Sequence, residues 1–273
     1  MLFPIDISIA SPIHCLLVAG FASFSLVYWT CAAFRFNIRM GLYYLYFICM
    51  ATMLLPFMLW NGRSRKNMLW CSFAQRVSGW LFGLHGEVSH IENLVTNGPS
   101  IIVSNHQSAI DTTGMGKLFT ERSTILAKKE LLYVGPFGLA LWLSGFVFIE
   151  RSNKKQSYQI LDDVANKVKN EGLCVWIFPE GTRNTNEEML QFKKGAFHLA
   201  IKAQAPIVPV VFSSYKNFFN PKANIFTSGK YVMEILPPVS TENLTLDDIS
   251  KLSNDVRSQM MDVFNRLSAN NYN

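Results

Sequence analysis

The fold class this sequence predicts is α/β, a mostly parallel sheet flanked by helices, preceded by an N-terminal two-helix transmembrane hairpin. Three observations predict it. The chain opens with two apolar runs that contain no Asp, Glu, Lys or Arg, residues 12–34 and 40–60. Beyond residue 61 short apolar strands alternate with helical patterns, the order that builds a parallel sheet with helical crossovers. The composition is 49% hydrophobic against 16% charged, and the apolar surplus sits at the front of the chain. Two domains follow from this division: a hairpin over residues 1–61 and an α/β domain over residues 62–273.

Each apolar run is long enough to cross a hydrocarbon core of roughly 30 Å as a helix. Only Arg35-Phe36-Asn37-Ile38-Arg39 separates them, which predicts a tight loop there. Tyr28, Trp29, Tyr43, Tyr44 and Trp60 lie near the ends of the runs, where interfacial aromatics belong. A cleaved leader is a poor alternative, because the first residues carry Asp6 and no Lys or Arg, and the run is too long. The flank after the second run holds Arg63, Arg65, Lys66 and Arg76. This excess over Arg35 and Arg39 places the flank, and the domain after it, on the cytosolic side. The sequon Asn243-Leu244-Thr245 would be silent there.

Ser100 to Ser104 reads as a buried strand, followed by a helix to about Phe119. Leu131 to Ile149 has no charged residue in nineteen positions. Gly135-Pro136 and Gly138 interrupt it as a span, so a buried helix plus a strand over residues 145–149 is the better reading. Ser157 to Glu171 is helical and stops at Gly172. Leu173 to Phe178 is a strand, Phe192 to Ala203 a helix, Ile207 to Ser213 and Tyr231 to Leu236 strands. Thr245 and Asp248 form a capping box that opens a last helix running to about Leu267.

The five cysteines, at 15, 31, 49, 71 and 174, show no metal-ligand spacing and no disulfide framework, so neither a metal nor a cofactor is expected. A formal charge of +6 suits anionic headgroups or phosphorylated ligands. No basic-aromatic stripe accompanies it, which argues against a nucleic-acid partner.

The chemistry concentrates at Asn105-His106-Gln107-Ser108-Ala109-Ile110-Asp111. In one continuous helix, residues five apart point about 140° away from each other. His106 and Asp111 can therefore pair only if His106 occupies the strand-to-helix turn and Asp111 the first helical turn. Helix-start N–H groups disfavour an imidazolium while a carboxylate favours it. An imidazole between these influences can serve as a general base. Taken alone, most such pairs are surface polar groups or a satisfied hydrogen bond.

Further along, Phe178-Pro179-Glu180-Gly181-Thr182-Arg183-Asn184 follows a strand, and Arg183 offers a planar fork of donors suited to phosphate. Its bland reading is a polar loop with an internal Glu180–Arg183 pair. Gly145 to Arg151 ends in Glu150-Arg151. Lys193 and Lys194 stand at a helix start, and Lys128 and Lys129 precede the uncharged stretch.

Taken together these blocks resemble the glycerophospholipid acyltransferase family, and within it the 1-acylglycerol-3-phosphate acyltransferases. NHQSAID at 105–111, GFVFIER at 145–151, FPEGTRN at 178–184 and APIVPVV at 205–211 stand in the family's order. The stretch at 128–138 is also similar, and the likeness covers about residues 95 to 240. The resemblance implies that His106 deprotonates the sn-2 hydroxyl of lysophosphatidic acid while Asp111 orients it. The alkoxide then attacks acyl-CoA, a co-substrate, with no acyl-enzyme and no metal. It also implies that Glu180, Gly181, Thr182 and Arg183 belong to the acceptor site, with Arg151 a further phosphate contact. Lys128 and Lys193 are candidate phosphate ligands by charge and position. The implied setting is the endoplasmic reticulum membrane, with membrane lipids as partners. Other acceptors (glycerol-3-phosphate or another lysophospholipid), a thioesterase and a membrane-shaping protein without activity are the competing readings.

Overall fold

The computed structural model describes residues 12–94, 98–150 and 154–270. Helix α1 (Pro12–Thr30) and helix α2 (Ala32–Trp60) are followed by α3 (Met68–Phe82), strand β1 (Leu84–Ser89) and strand β2 (Ser100–Ser104). A short α4 (Asp111–Met115) leads to β3 (Ser123–Lys128), α5 (Gly135–Leu143) and β4 (Val147–Ile149). Then come α6 (Lys154–Glu171), β5 (Cys174–Ile177), α7 (Gly195–Ala203) and β6 (Ile207–Phe212). A small ribbon of β7 (Phe219–Asn220) and β8 (Ile225–Phe226) precedes β9 (Gly229–Ile235) and α8 (Ile249–Asn270).

The main sheet has the order β1-β9-β6-β2-β5-β3-β4. β6, β2, β5, β3 and β4 run parallel. β9 pairs antiparallel with β6, and β1 pairs parallel with β9. Side chains alternate across a strand, so strands that are apolar throughout must be covered on both faces. Ile101, Val103, Val175, Ile177 and Ile207 pack under α6, α7 and α8, where Val168, Leu199 and Val256 meet them. Ile102, Trp176, Val208, Val210 and Phe212 pack on the other face with Met115, Tyr231 and Met233. Open sheets of this kind present their sites at the carboxyl ends of the parallel strands. His106 lies just past the end of β2, and Glu180 just past the end of β5.

The mostly parallel α/β sheet flanked by helices is the architecture expected. Gly172 adopts φ +62° after α6, the left-handed residue that terminates a helix. The Thr245–Asp248 capping box forms and leads through a 3-10 turn into α8. The uncharged stretch at 131–149 divides into α5 and β4, as read from its glycines. Pro136 opens α5 rather than breaking it, since the first helical turn needs no proline N–H.

Other expectations need correction. The loop predicted at 35–39 is helical, and the helix is interrupted instead at Cys31, a single extended residue. Nothing in Arg35 to Arg39 breaks a helix, and the two arginines find partners within the fold. Arg35 donates to the carbonyls of Tyr28 and Trp29; Arg39 donates to the Phe82 carbonyl and lies over the Phe226 ring. Nor is α2 one leg of a free hairpin. Tyr43, Ala51, Leu54 and Met58 are buried, a stripe spaced to lie on one helical face, and α2 packs along α3 and α5. Among the described residues one helix, Ala32–Trp60, is long and apolar enough to cross a membrane, and His14–Thr30 is a shorter apolar helix. The helix predicted to reach Phe119 ends at Met115, and the helix predicted from Phe192 begins at Gly195. α3, β1, β3 and the β7–β8 ribbon were not anticipated.

Gly114 shows how closely α4 is held on the sheet. A Cβ there would sit 2.6 Å from Met233 Sδ and 2.6 Å from Phe212 Cε1. Gly114→Ala is expected to cost about 1–3 kcal/mol of stability. It should lower the Tm of the detergent-solubilised protein by about 5 °C, read by scanning fluorimetry. An unchanged Tm would show that α4 is not clamped in this way.

Candidate active site

β2 ends at Ser104, and the next six residues are neither strand nor helix until α4 starts at Asp111. This interruption brings the pair together. His106 Nδ1 lies 2.6 Å from Asp111 Oδ2, so the ring sits in the turn and the carboxylate on the first helical residue. Asp111 Oδ2 also accepts the backbone N–H groups of Gln107 at 2.9 Å and Ser108 at 3.1 Å. Three donors thus converge on this one oxygen. A carboxylate can only accept, so Nδ1 carries the proton of neutral His106 and Nε2 offers its lone pair. The His106 side chain is 20% exposed and that of Asp111 1%. The imidazole therefore reaches solvent, and the carboxylate does not.

The loop after β5 grips His106 from three directions. Phe178 stacks on the imidazole with ring centroids 3.9 Å apart. The His106 N–H donates to Glu180 Oε1 at 2.9 Å, and its carbonyl accepts the Asn184 N–H at 2.7 Å. Glu180 is 3% exposed. Its second oxygen accepts from the Leu190 N–H at 2.9 Å and from Asn184 Nδ2 at 3.1 Å. Both carboxylate oxygens thus point into the protein, and Glu180 braces the two loops. The predicted internal Glu180–Arg183 pair is absent among the described ion pairs.

On the flanks, Asn105 exchanges two hydrogen bonds with the Phe212 backbone, at 3.0 and 2.8 Å. Gln107 donates to the Ser213 carbonyl at 2.8 Å and accepts the Tyr215 N–H at 3.1 Å. Sequence reading assigned no role to Asn105, Gln107, Phe178, Asn184 or Tyr215. A signal for two of them was present: Asn105 and Gln107 flank His106 at alternate positions, which turns them to the side opposite His106 in an extended segment.

The predicted phosphate ligands stand along the same sheet edge. Gly181 adopts φ +70°, and a Cβ there would come 2.7 Å from Lys193 Nζ. The Lys193 side chain therefore lies across the loop that holds His106. Thr182 and Arg183 are exposed on that loop. Lys128 ends β3, the neighbour of β5, and is exposed. Among the described residues Lys128, Arg183 and Lys193 form no ion pair, whereas the adjacent Lys129 pairs with Glu150 at 2.7 Å. Arg151 lies outside the described residues. No cluster of three or more His, Cys, Asp or Glu side chains fit to hold a metal ion occurs among the described residues.

A partly exposed histidine oriented by a buried acid, beside a cationic edge, defines a class before it defines a member. A family model described as acyltransferase matches residues 85–213, the span from β1 to the end of β6. Curated relatives narrow the class. The mouse protein named 1-acyl-sn-glycerol-3-phosphate acyltransferase alpha is 39% identical over 88% of this chain and 85% of its own length. The Saccharomyces cerevisiae 1-acyl-sn-glycerol-3-phosphate acyltransferase is 41% identical over 68% of this chain and 62% of its own length. The chain belongs to the 1-acyl-sn-glycerol-3-phosphate acyltransferase family. Its fold is shared with the crystal structure of the Thermotoga maritima 1-acyl-sn-glycerophosphate (LPA) acyltransferase PlsC. That likeness has a TM-score of 0.65 at 24% identity and covers 83% of this chain and 96% of that one.

The bracing geometry of Glu180 gives a kinetic prediction. Glu180→Gln keeps the shape but removes one of two acceptors for buried N–H groups, a loss of about 1–3 kcal/mol. The expected result is a kcat reduced about tenfold or more with the KM for the acceptor changed less than threefold. Steady-state kinetics decide this, and a large KM effect at constant kcat would place Glu180 against the substrate instead.

Proposed function

We propose that this chain transfers a fatty acyl group from acyl-CoA to the sn-2 hydroxyl of lysophosphatidic acid, giving phosphatidic acid and CoA. The observation that carries the reading is the His106–Asp111 pair, with Nδ1 held by the carboxylate and the lone pair of Nε2 left for a substrate proton. Nε2 takes the hydroxyl proton as the alkoxide attacks the thioester carbonyl. Asp111 stabilises the imidazolium that forms. Collapse of the tetrahedral species breaks the C–S bond, and the imidazolium returns its proton to the CoA thiolate. The electron pair ends on sulfur, and no covalent enzyme intermediate is needed.

Arg183, Lys193 and Lys128 supply positive charge at the same edge. A phosphomonoester, carrying between one and two charges near neutral pH, is the acceptor such an edge favours. Gly181 and Thr182 shape that loop. Arg151 is two positions beyond β4 in the chain and is proposed as a further contact.

Membrane lipids complete the setting. The face of α2 turned away from the α/β domain exposes Leu45, Met53, Phe57 and Trp60; α1 exposes Leu16, Leu17, Phe21 and Trp29. We propose that these surfaces enter the membrane, which in cells is the endoplasmic reticulum membrane, with the sheet on the cytosolic side. The charged acyl-CoA is delivered from that side, and Arg63, Arg65 and Lys66 follow α2 on it. Asn243 is an exposed residue at φ +63°. Its sequon should stay unglycosylated in a translocation assay, and a glycosidase-sensitive mass shift would reverse the orientation.

The central test is a purified-protein assay with oleoyl-CoA and a panel of lysophosphatidate, glycerol-3-phosphate, lysophosphatidylcholine and lysophosphatidylethanolamine. Lysophosphatidate is expected to be preferred. His106→Ala should lower kcat by about a thousandfold, and Arg183→Ala should raise the lysophosphatidate KM about tenfold. Preference for a diester acceptor, or CoA release without any acceptor, would overturn the substrate assignment. An active His106→Ala variant would remove the mechanism.

A further inference from the structure

Asp111 Oδ2 carries three donors, but its other oxygen is in a different position. Oδ1 is buried and takes no well-formed hydrogen bond from the loop or from α4. The Tyr215 hydroxyl is also buried and has no well-formed bond elsewhere. The Asp111 carboxylate acts on the Tyr215 phenol both as a charge and as a hydrogen-bond acceptor. Buried polar groups in folded proteins are paired with few exceptions. The Tyr231 hydroxyl is a third such group, but Asp111 acts on it as a charge alone, which singles out Tyr215 as the partner for Oδ1.

The surroundings leave Tyr215 little freedom to turn away. The residue is 2% exposed. Its N–H is fixed by Gln107 Oε1 at 3.1 Å, so the catalytic loop itself holds the Tyr215 backbone. Its ring meets Tyr231 with centroids 5.4 Å apart and Phe212 at 6.3 Å.

We propose that Tyr215 is a positioning residue for acyl transfer: its hydroxyl donates to Asp111 Oδ1 and holds the carboxylate in the rotation that presents Oδ2 to His106 Nδ1. It touches no substrate and acts through Asp111. Burial first, and the charge of Asp111 second, keep the phenol protonated far above its ordinary range. It is therefore a donor at every working pH.

This inference rests on the general-base reading of His106, and the test separates the two. Tyr215→Phe removes one oxygen and preserves the ring packing. With the hydroxyl gone, Asp111 is less neutralised and rotates more freely. The first effect stabilises the imidazolium, so the base is lost at a higher pH. In the full chain, the acidic limb of the kcat/KM profile is expected to move up by about half a pH unit. The rate at its optimum should fall about tenfold, with the acceptor KM within twofold of wild type. Tyr231→Phe is the control. It removes a neighbouring buried hydroxyl that also lacks a well-formed bond, and it should leave the acidic limb in place.

A Tyr215→Phe enzyme that loses only Tm, with an unmoved limb, would show a purely structural role and overturn the proposal. So would equal limb shifts in both variants. Should Tyr215→Phe fail to fold, 3-fluorotyrosine incorporated at position 215 strengthens the donor and must shift the limb to lower pH; no shift there overturns the proposal too. If His106→Ala is inactive while Tyr215→Phe behaves as wild type, this inference alone fails.

Discussion

A carboxylate without access to solvent dictates how the rest of this site is built. Ionised Asp111 can remain in the interior only if donors surround it, because an unpaired buried charge is among the most unfavourable features a fold can hold. Two of the donors on Oδ2 are backbone N–H groups of Gln107 and Ser108. The turn between β2 and α4 must therefore curl tightly around the carboxylate. The third donor is His106 Nδ1. The curl that satisfies Asp111 also fixes the tautomer and the direction of the imidazole, and leaves Nε2 with its lone pair as a consequence.

A turn shaped by one side chain still needs support from outside. That support comes from the loop following β5, whose Glu180 and Asn184 hold the N–H and the carbonyl of His106 and whose Phe178 covers its ring. Two blocks 74 residues apart in sequence thus form one object. The parallel pairing of β2 with β5 is what allows it, since it brings both strand ends to one edge. Arg183 and Lys193 are exposed on the same loop, with Lys193 crossing Gly181. A single segment consequently braces His106 with its buried side chains and offers charge with its exposed ones.

The His106–Asp111 geometry was legible because five-residue spacing leaves one arrangement in which the side chains meet. The central strands were legible because continuous apolar runs have one place to go. What could not be seen depended on distant partners. Arg35 and Arg39 mark a solvated loop in a sequence, yet here they are bound by carbonyls of α1 and α3, so the helix runs through them. Glu180 in a polar motif reads as a ligand until its acceptors are found occupied by backbone N–H groups from either side. β1 escaped notice because its centre is Gly86, where a side chain would collide with the Tyr231 ring, 2.5 Å from Cζ. Its identity as a strand is written in β9, not in its own residues.

The same dependence on distant contacts links the apolar N-terminal helix to the chemistry. α2 has two faces of different kinds, one buried on the domain through Tyr43, Ala51, Leu54 and Met58, the other exposing large apolar side chains. The buried face is not only hydrophobic. The Tyr43 hydroxyl lies 3.2 Å from Thr113 Oγ1 and 3.4 Å from the Ala109 carbonyl, two residues to either side of Asp111. Thr113 in turn meets Ser78 of α3 at 3.3 Å. α4, with a single turn and a glycine next to its last residue, would be a weak support by itself. It is steadied by α2 on one side and by Gly114 packed against Met233 and Phe212 on the other. A shift of α2 relative to the sheet would therefore be felt at the start of α4, where the carboxylate sits. The outer face of α2 and the His106–Asp111 pair are two ends of one short chain of contacts.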